Sequence, residues 1–195
     1  MFECTKCLYK SSHPFGITSI DGLCSGCITH QEKSTLIQND REEILKDIFQ
    51  STKLIKTSSY DCVIPVVGDA EDYYTVSQVL KHGLNPLIVC VNDYFKNDIG
   101  WHNLQNLITH FDVDSFIYNP ELNVYKELIR TSLRKHNHVY WPFLSLHTSF
   151  PVHVAMERKI PLVVWGQNQS IEQVGKFSHY EMVFTFGWCF FRYIK

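Results

Sequence analysis

Two cysteine pairs of identical spacing, Cys4-Thr-Lys-Cys7 and Cys24-Ser-Gly-Cys27, stand 16 residues apart near the start of the chain. Each C-x-x-C turn can aim two thiolates at one ion, and two such turns complete a tetrahedral four-thiolate shell of the kind that holds zinc. Gly22 and Gly26 free the backbone around the second pair, while Pro14 and Gly16 break up the segment between the pairs. A stretch this short cannot build an apolar core, so bound zinc would supply its folding free energy, on the order of 10 kcal/mol. A closed shell leaves no position for substrate; the ion would hold shape and do no chemistry. A redox dithiol pair and unliganded surface thiols are the alternative readings, with His13 and His30 as substitute ligands if one cysteine is out of place. Cys62, Cys90 and Cys189 sit singly in apolar segments and read as small buried hydrophobes. Such uneven usage fits a metal-binding pattern in a cytoplasmic protein and not a secreted disulfide framework.

The other groups able to do chemistry follow apolar runs. "DCVIPVV" (61–67), "NPLIVCV" (85–91), "DSFIYN" (114–119) and "IPLVVWG" (160–166) read as buried-type strands, although Pro65 argues against a central place for the first. Helical spacing recurs over 72–82, 101–111 and 121–136, with a further helix around 148–158. Continuous apolar strands separated by helices predict an α/β domain with a parallel sheet covered on both faces. Ligands in such sheets bind outside the carboxyl ends of the strands, so the loops to watch are 67–73, 92–98, 119–121 and 166–175. Asn92, Asp93 and Asn119 stand at strand ends, where a cap or turn role is the simpler account. "WGQNQSIEQVG" is different: amide side chains follow a buried strand between two glycines, which suits hydrogen-bonding recognition of a polar ligand.

These elements divide the chain into a zinc-knuckle module (1–31), a connecting helix and linker (32–59) and an α/β domain (60–195). Ile44, Leu45, Ile48 and Phe49 stripe the connecting helix from about 40 to 52, with Asn39 or Asp40 as its cap. A chain of 195 residues, 45% hydrophobic and 19% charged, can bury a sizeable core. Its net charge of −2 provides no field for nucleic acid, which argues against a zinc-ribbon nucleic-acid factor. No apolar run reaches the roughly 18 residues of a membrane span. The aromatic "MVFTFGWCFFRYI" near the end reads as a core element or an interface for self-association, left uncovered by an early stop.

Taken together, "CTKCLYKSSHPFGITSIDGLCSGC" (4–27), "YDCVIPVVGDAEDYY" (60–74), "HGLNPLIVCVND" (82–93) and "IPLVVWGQNQSIEQVG" (160–175) resemble the N-acetyl sugar amidotransferases of lipopolysaccharide and flagellin-sugar synthesis. That family is related to the PP-loop ATP pyrophosphatases and extends beyond the point where this chain ends. The resemblance implies an adenine nucleotide alpha hydrolase-like (HUP, PP-loop) sheet. It also implies ATP- and Mg-dependent activation of an acetamido carbonyl, then displacement by ammonia from a glutaminase subunit to give an acetamidino sugar. The family's Ser-Gly-Gly-Lys-Asp-Ser nucleotide loop falls on Val67-Gly68-Asp69-Ala70-Glu71-Asp72, which would make Gly68, Glu71 and Asp72 the nucleotide contacts of a degenerate loop. Gly166, Gln167 and Asn168 would touch substrate, and Glu172 would orient ammonia or the amide. Ala70 stands where the family has lysine, and three acids surround the loop. A carboxylate about 4 Å from a phosphate charge costs about 1 kcal/mol in water and about 4 at an effective dielectric of 20. A divalent metal on Asp69, Glu71 and Asp72 would invert that argument. "VYWPFLSLHTSF" (139–150) lacks the family's cysteine and leaves His147 as its one hint of a site. Two functions follow as expectations: an ATP-dependent amidotransferase, or a noncatalytic zinc-stabilised homologue acting as a binding or scaffolding subunit.

Overall fold

The computed structural model describes residues 2–10, 18–32, 38–55 and 57–166, with the backbone alone at 38–40. They belong to two compact units; the second is Glu42–Gly166, and the described part of the first ends at Arg41. In the first, β1 (Ser19–Ile20) and β2 (Leu23–Cys24) pair antiparallel. The turn between them places Asp21 and Gly22 at φ 51° and 79°, the left-handed conformation that a two-residue hairpin turn demands. Helix α1 (Ser25–Glu32) starts directly after Cys24. Helix α2 spans Gln38–Ile55, longer at both ends than the stripe predicted; the side chains of Asn39 and Asp40 lie outside the described residues.

The second unit is built on a four-stranded sheet in the order β5-β4-β3-β6, all parallel. Its strands are β3 (Cys62–Pro65), β4 (Pro86–Val91), β5 (Ser115–Tyr118) and β6 (Leu162–Val163). Every residue of β3 and β4 is buried, the pattern of strands covered on both faces. Alternation sorts them. Cys62, Ile64 and Val66 join Ile88 and Cys90 in one core with Val76 and Val79 of α3 (Ala70–Lys81) and Leu104 and Leu107 of α4 (Asp98–Phe111). Val63, Leu87 and Val89 face the other way, against Val154 and Ala155 of α6 (Trp141–Glu157). The expected parallel α/β sheet is therefore present.

Helix α5 (Leu122–His136) packs on α6, and together they carry the chain from the outer strand β5 back across the sheet to β6. The connections after β3 and before β6 thus leave in opposite directions, which opens a crevice at the carboxyl ends of these neighbours. Pro65 sits in a central strand after all. Val66 N–H donates to Val89 on one side, and Val63 C=O accepts from Val164 on the other. By alternation, the N–H that Pro65 lacks would face β6, whose pairing stops at Val163. Helix α6 begins earlier than the sequence suggests because Pro142 lies in its first turn, where a missing N–H is no loss. Pro151 lies inside the helix and removes the bond to the carbonyl of His147. Among the described residues, no helix is long and apolar enough to cross a membrane.

Gly68 fixes how the β3–α3 turn meets α4. Its φ is +103°, and a Cβ there would lie 3.0 Å from the backbone nitrogen of Leu104. Side-chain rotation relieves neither problem. Gly68→Ala is expected to destabilise the fold by about 2 kcal/mol or more, read as a lower denaturation midpoint in urea at unchanged m-value.

Candidate functional site

The turn after β3 gathers three backbone amides into a concave seat, the arrangement that binds anions in many strand–turn–helix units. Here one carboxylate fills it. Asp72 Oδ2 accepts from the N–H groups of Val67 (2.7 Å), Gly68 (2.7 Å) and Asp69 (3.2 Å). Asp69 is the N-cap of α3, with extended backbone, and Asp72 is its third residue, so the contact forms part of a capping box. Asp72 is only 8% exposed. Burial pushes its carboxyl above the usual range, while the three N–H bonds pull the other way. Asp69 is also raised, first by burial and then by the charges of Asp72 and Glu71. Glu71, the third acid of the loop, is solvent-exposed.

A cation reaches this turn from the neighbouring loop. Lys96, between β4 and α4, donates from Nζ to the carbonyl of Val67 at 2.7 Å and lowers Asp69 electrostatically. The loop's own sequence shows only the alanine at 70; the lysine lies 29 residues beyond Val67. Next to it, Asp93 accepts from Phe95 N–H at 3.0 Å and from the Tyr140 hydroxyl at 3.3 Å. Burial, followed by the charge of Asp93, raises Tyr140 to about 12. Asn92 and Asn119, both singled out at strand ends, bond to each other at 2.8 Å and tie β4 to β5.

His147 projects from α6 into the same region. Its ring lies nearly parallel to Phe143 (5.3 Å, 18°) and edge-on to Trp165 (5.7 Å, 76°). Among the described residues its buried Nδ1 has no hydrogen-bond partner. Burial lowers its pKa, so the ring is neutral at pH 7. Gly166 closes the far side: a Cβ there would meet Thr75 Oγ1 at 2.5 Å, so a larger residue would have to displace that hydroxyl from its place on the first turns of α3. Gly68, Asp72 and Gly166 thus share one end of the sheet. Gln167, Asn168, Glu172 and Gly175 lie outside the described residues, as do His13 and the aromatic C-terminal segment.

The four N-terminal cysteines form a second centre. Their sulfurs lie within 4.8 Å of one another, with Cys7–Cys24 at 3.5 Å and Cys4–Cys27 at 3.8 Å. Ligands about 2.3 Å from a tetrahedral zinc sit about 3.8 Å apart, so these thiols could hold a metal ion with little movement. The N–H of Cys24 donates to Cys4 Sγ (3.3 Å) and that of Cys27 to Cys24 Sγ (3.4 Å), bonds that stabilise thiolates. The first of these leads the causes that hold Cys4 down at about 6. Among the described residues this is the group of metal-binding side chains whose ligand atoms converge; Asp69, Glu71 and Asp72 do not form one. Elemental analysis of reduced protein is expected to give about one metal ion per chain, lost in Cys4→Ser together with the N-terminal fold. Metal-free protein with an intact N-terminal NMR spectrum would contradict this.

No family model matches the chain, and no curated protein matches it in sequence. Among solved structures it is similar to NMN synthetase from Francisella tularensis, with a TM-score of 0.54, 11% identity, and coverage of 74% of this chain and 60% of that one. It is equally similar in shape to the NH3-dependent NAD synthetase from Campylobacter jejuni subsp. jejuni, solved with nitrate, with a TM-score of 0.54, 16% identity, and coverage of 74% and 63%. The chain spans less than two thirds of the length of either. At these identities the likeness is one of fold: a parallel sheet of the NAD synthetase type, the PP-loop architecture.

Proposed function

We propose that this chain is a noncatalytic relative of the ATP-dependent N-acetyl sugar amidotransferases. In this reading it is a zinc-braced α/β module serving as a binding or scaffolding subunit in surface-polysaccharide synthesis. One observation carries the noncatalytic part: the amides that would cradle pyrophosphate already hold the Asp72 carboxylate. An incoming polyphosphate would have to displace an anion tethered three residues from the helix cap, against the charges of Asp69 and Glu71 as well. The sugar-synthesis part rests on the sequence resemblance.

Lys96 favours a second reading, an active amidotransferase, because it returns a cation to a loop that lacks its own. In that reading ATP and Mg would engage Gly68, Glu71 and Asp72 once the carboxylate swings out. Gly166, Gln167 and Asn168 would contact the sugar, Glu172 would orient ammonia, and a glutaminase subunit would supply it. Self-association through the aromatic C-terminal segment is compatible with either reading.

Calorimetric titration with Mg-ATP separates the two. The wild-type chain is expected to give no binding heat at millimolar nucleotide. Asp72→Ser, which restores the serine of the family pattern and empties the seat, is expected to bind at least about tenfold more tightly, a gain of about 1.4 kcal/mol. Micromolar binding by wild type, unimproved in Asp72→Ser, would establish the active reading instead.

A further inference from the structure

The C-terminal half of α5, the turn after it and the first turn of α6 form a surface that neither reading uses. Residues 128–144 contain Arg130, Arg134 and Lys135, two histidines and no acid, in a chain of net charge −2. Arg130 is paired with Glu127 on the same helix, whereas Arg134 and Lys135 are exposed at the helix end. Cations in a last helical turn are ordinary partners of the helix dipole. The apolar side chains among them are not. Leu128, Leu133, Val139, Tyr140, Trp141 and Leu144 are each between 37% and 53% exposed. Leu128 and Leu133 flank the buried Tyr125–Ser132 face of α5 on opposite sides. Val139, Tyr140, Trp141 and Leu144 instead follow one another through the turn and the first turn of α6, and it is these that mark a contact surface.

We propose that this surface seats the protein peripherally on an anionic lipid bilayer. Its charge complements a negative headgroup layer. A second copy docking through the same face would set Arg134 and Lys135 against their own counterparts. A bilayer interface also requires no matching groove: it accepts amphipathic rings at headgroup depth and the stems of cationic side chains. Trp141 and Tyr140 provide the rings, with Trp141 held 6.0 Å from His136 at the end of α5. The surface borders the carboxyl end of the sheet, because the Tyr140 hydroxyl reaches Asp93 just after β4. The protein would therefore lie with its crevice close to the membrane plane. The inference does not depend on whether the nucleotide seat is filled.

Co-sedimentation of the full chain with vesicles tests it, using phosphatidylcholine containing about one third phosphatidylglycerol against phosphatidylcholine alone. Binding is expected to the anionic vesicles only and to weaken as salt rises. Each basic residue near such a surface is worth a factor of about five, so Arg134→Glu/Lys135→Glu should lose at least about 25-fold. Trp141→Ser should weaken binding and abolish most of the tryptophan quenching by brominated lipid. Lys81→Glu/Lys159→Glu, an equal charge reversal at the other end of the sheet, should bind as wild type does. All four positions are exposed, so the reversals remove no buried contact, and circular dichroism checks that the fold is kept. Failure to bind the anionic vesicles would overturn the proposal in favour of an acidic protein partner. Equal loss in the two charge-reversed variants would reduce it to nonspecific attraction and overturn it as well.

Discussion

The three hydrogen bonds to Asp72 govern what this α/β unit can do. A parallel sheet with a strand–turn–helix unit at its switch point can present amides to an anion, because the N–H groups of the turn just before the helix point into one concavity. In this chain that requirement is met from within. The carboxylate lies one turn from the amides it satisfies, so no external anion competes with it on equal terms. Charge-assisted bonds of this kind contribute about 1.5–3 kcal/mol each when buried. They stabilise the turn, and in the proposed reading the same contact stands in the way of polyphosphate.

The packing around the seat leaves it little freedom. Gly68 holds the turn against the backbone of α4, and Gly166 brings the end of β6 against Thr75 of α3. Lys96 fastens the carbonyl of Val67. On the α6 side, His147 lies between Phe143 and Trp165, with a buried nitrogen that has no partner among the described residues. The crevice therefore combines a filled anion seat with a rim of mixed charge. The architecture is that of the NAD synthetase-type fold, and the turn after its first strand is held by a carboxylate of its own chain.

Much of the molecule was legible in the sequence, for reasons that differ from part to part. The cysteine frame is a local pattern, since each turn needs only two spacer residues to aim two sulfurs, and the four do converge. Strands β3 and β4 were legible because two-sided burial demands an unbroken apolar run. The start of α6 was obscured by Pro142 and Pro151, which are disruptive in most helices and tolerated here at the first turn and inside. The acids of the loop were legible as an electrostatic burden but not as a plug, because their direction is a matter of geometry. The three-residue spacing of Asp69 and Asp72 was the available signal, being that of a capping box. Lys96 could not be found by aligning the loop, because it is a neighbour across the sheet and not along the chain.

The most direct test of the closed seat is an amide NMR spectrum of the metal-loaded chain titrated with pyrophosphate. Strong hydrogen bonds to a carboxylate shift amide protons downfield. The Val67, Gly68 and Asp69 signals should appear there without added ligand and stay in place at millimolar pyrophosphate. Movement of those three signals at micromolar pyrophosphate would show an open seat and contradict the account.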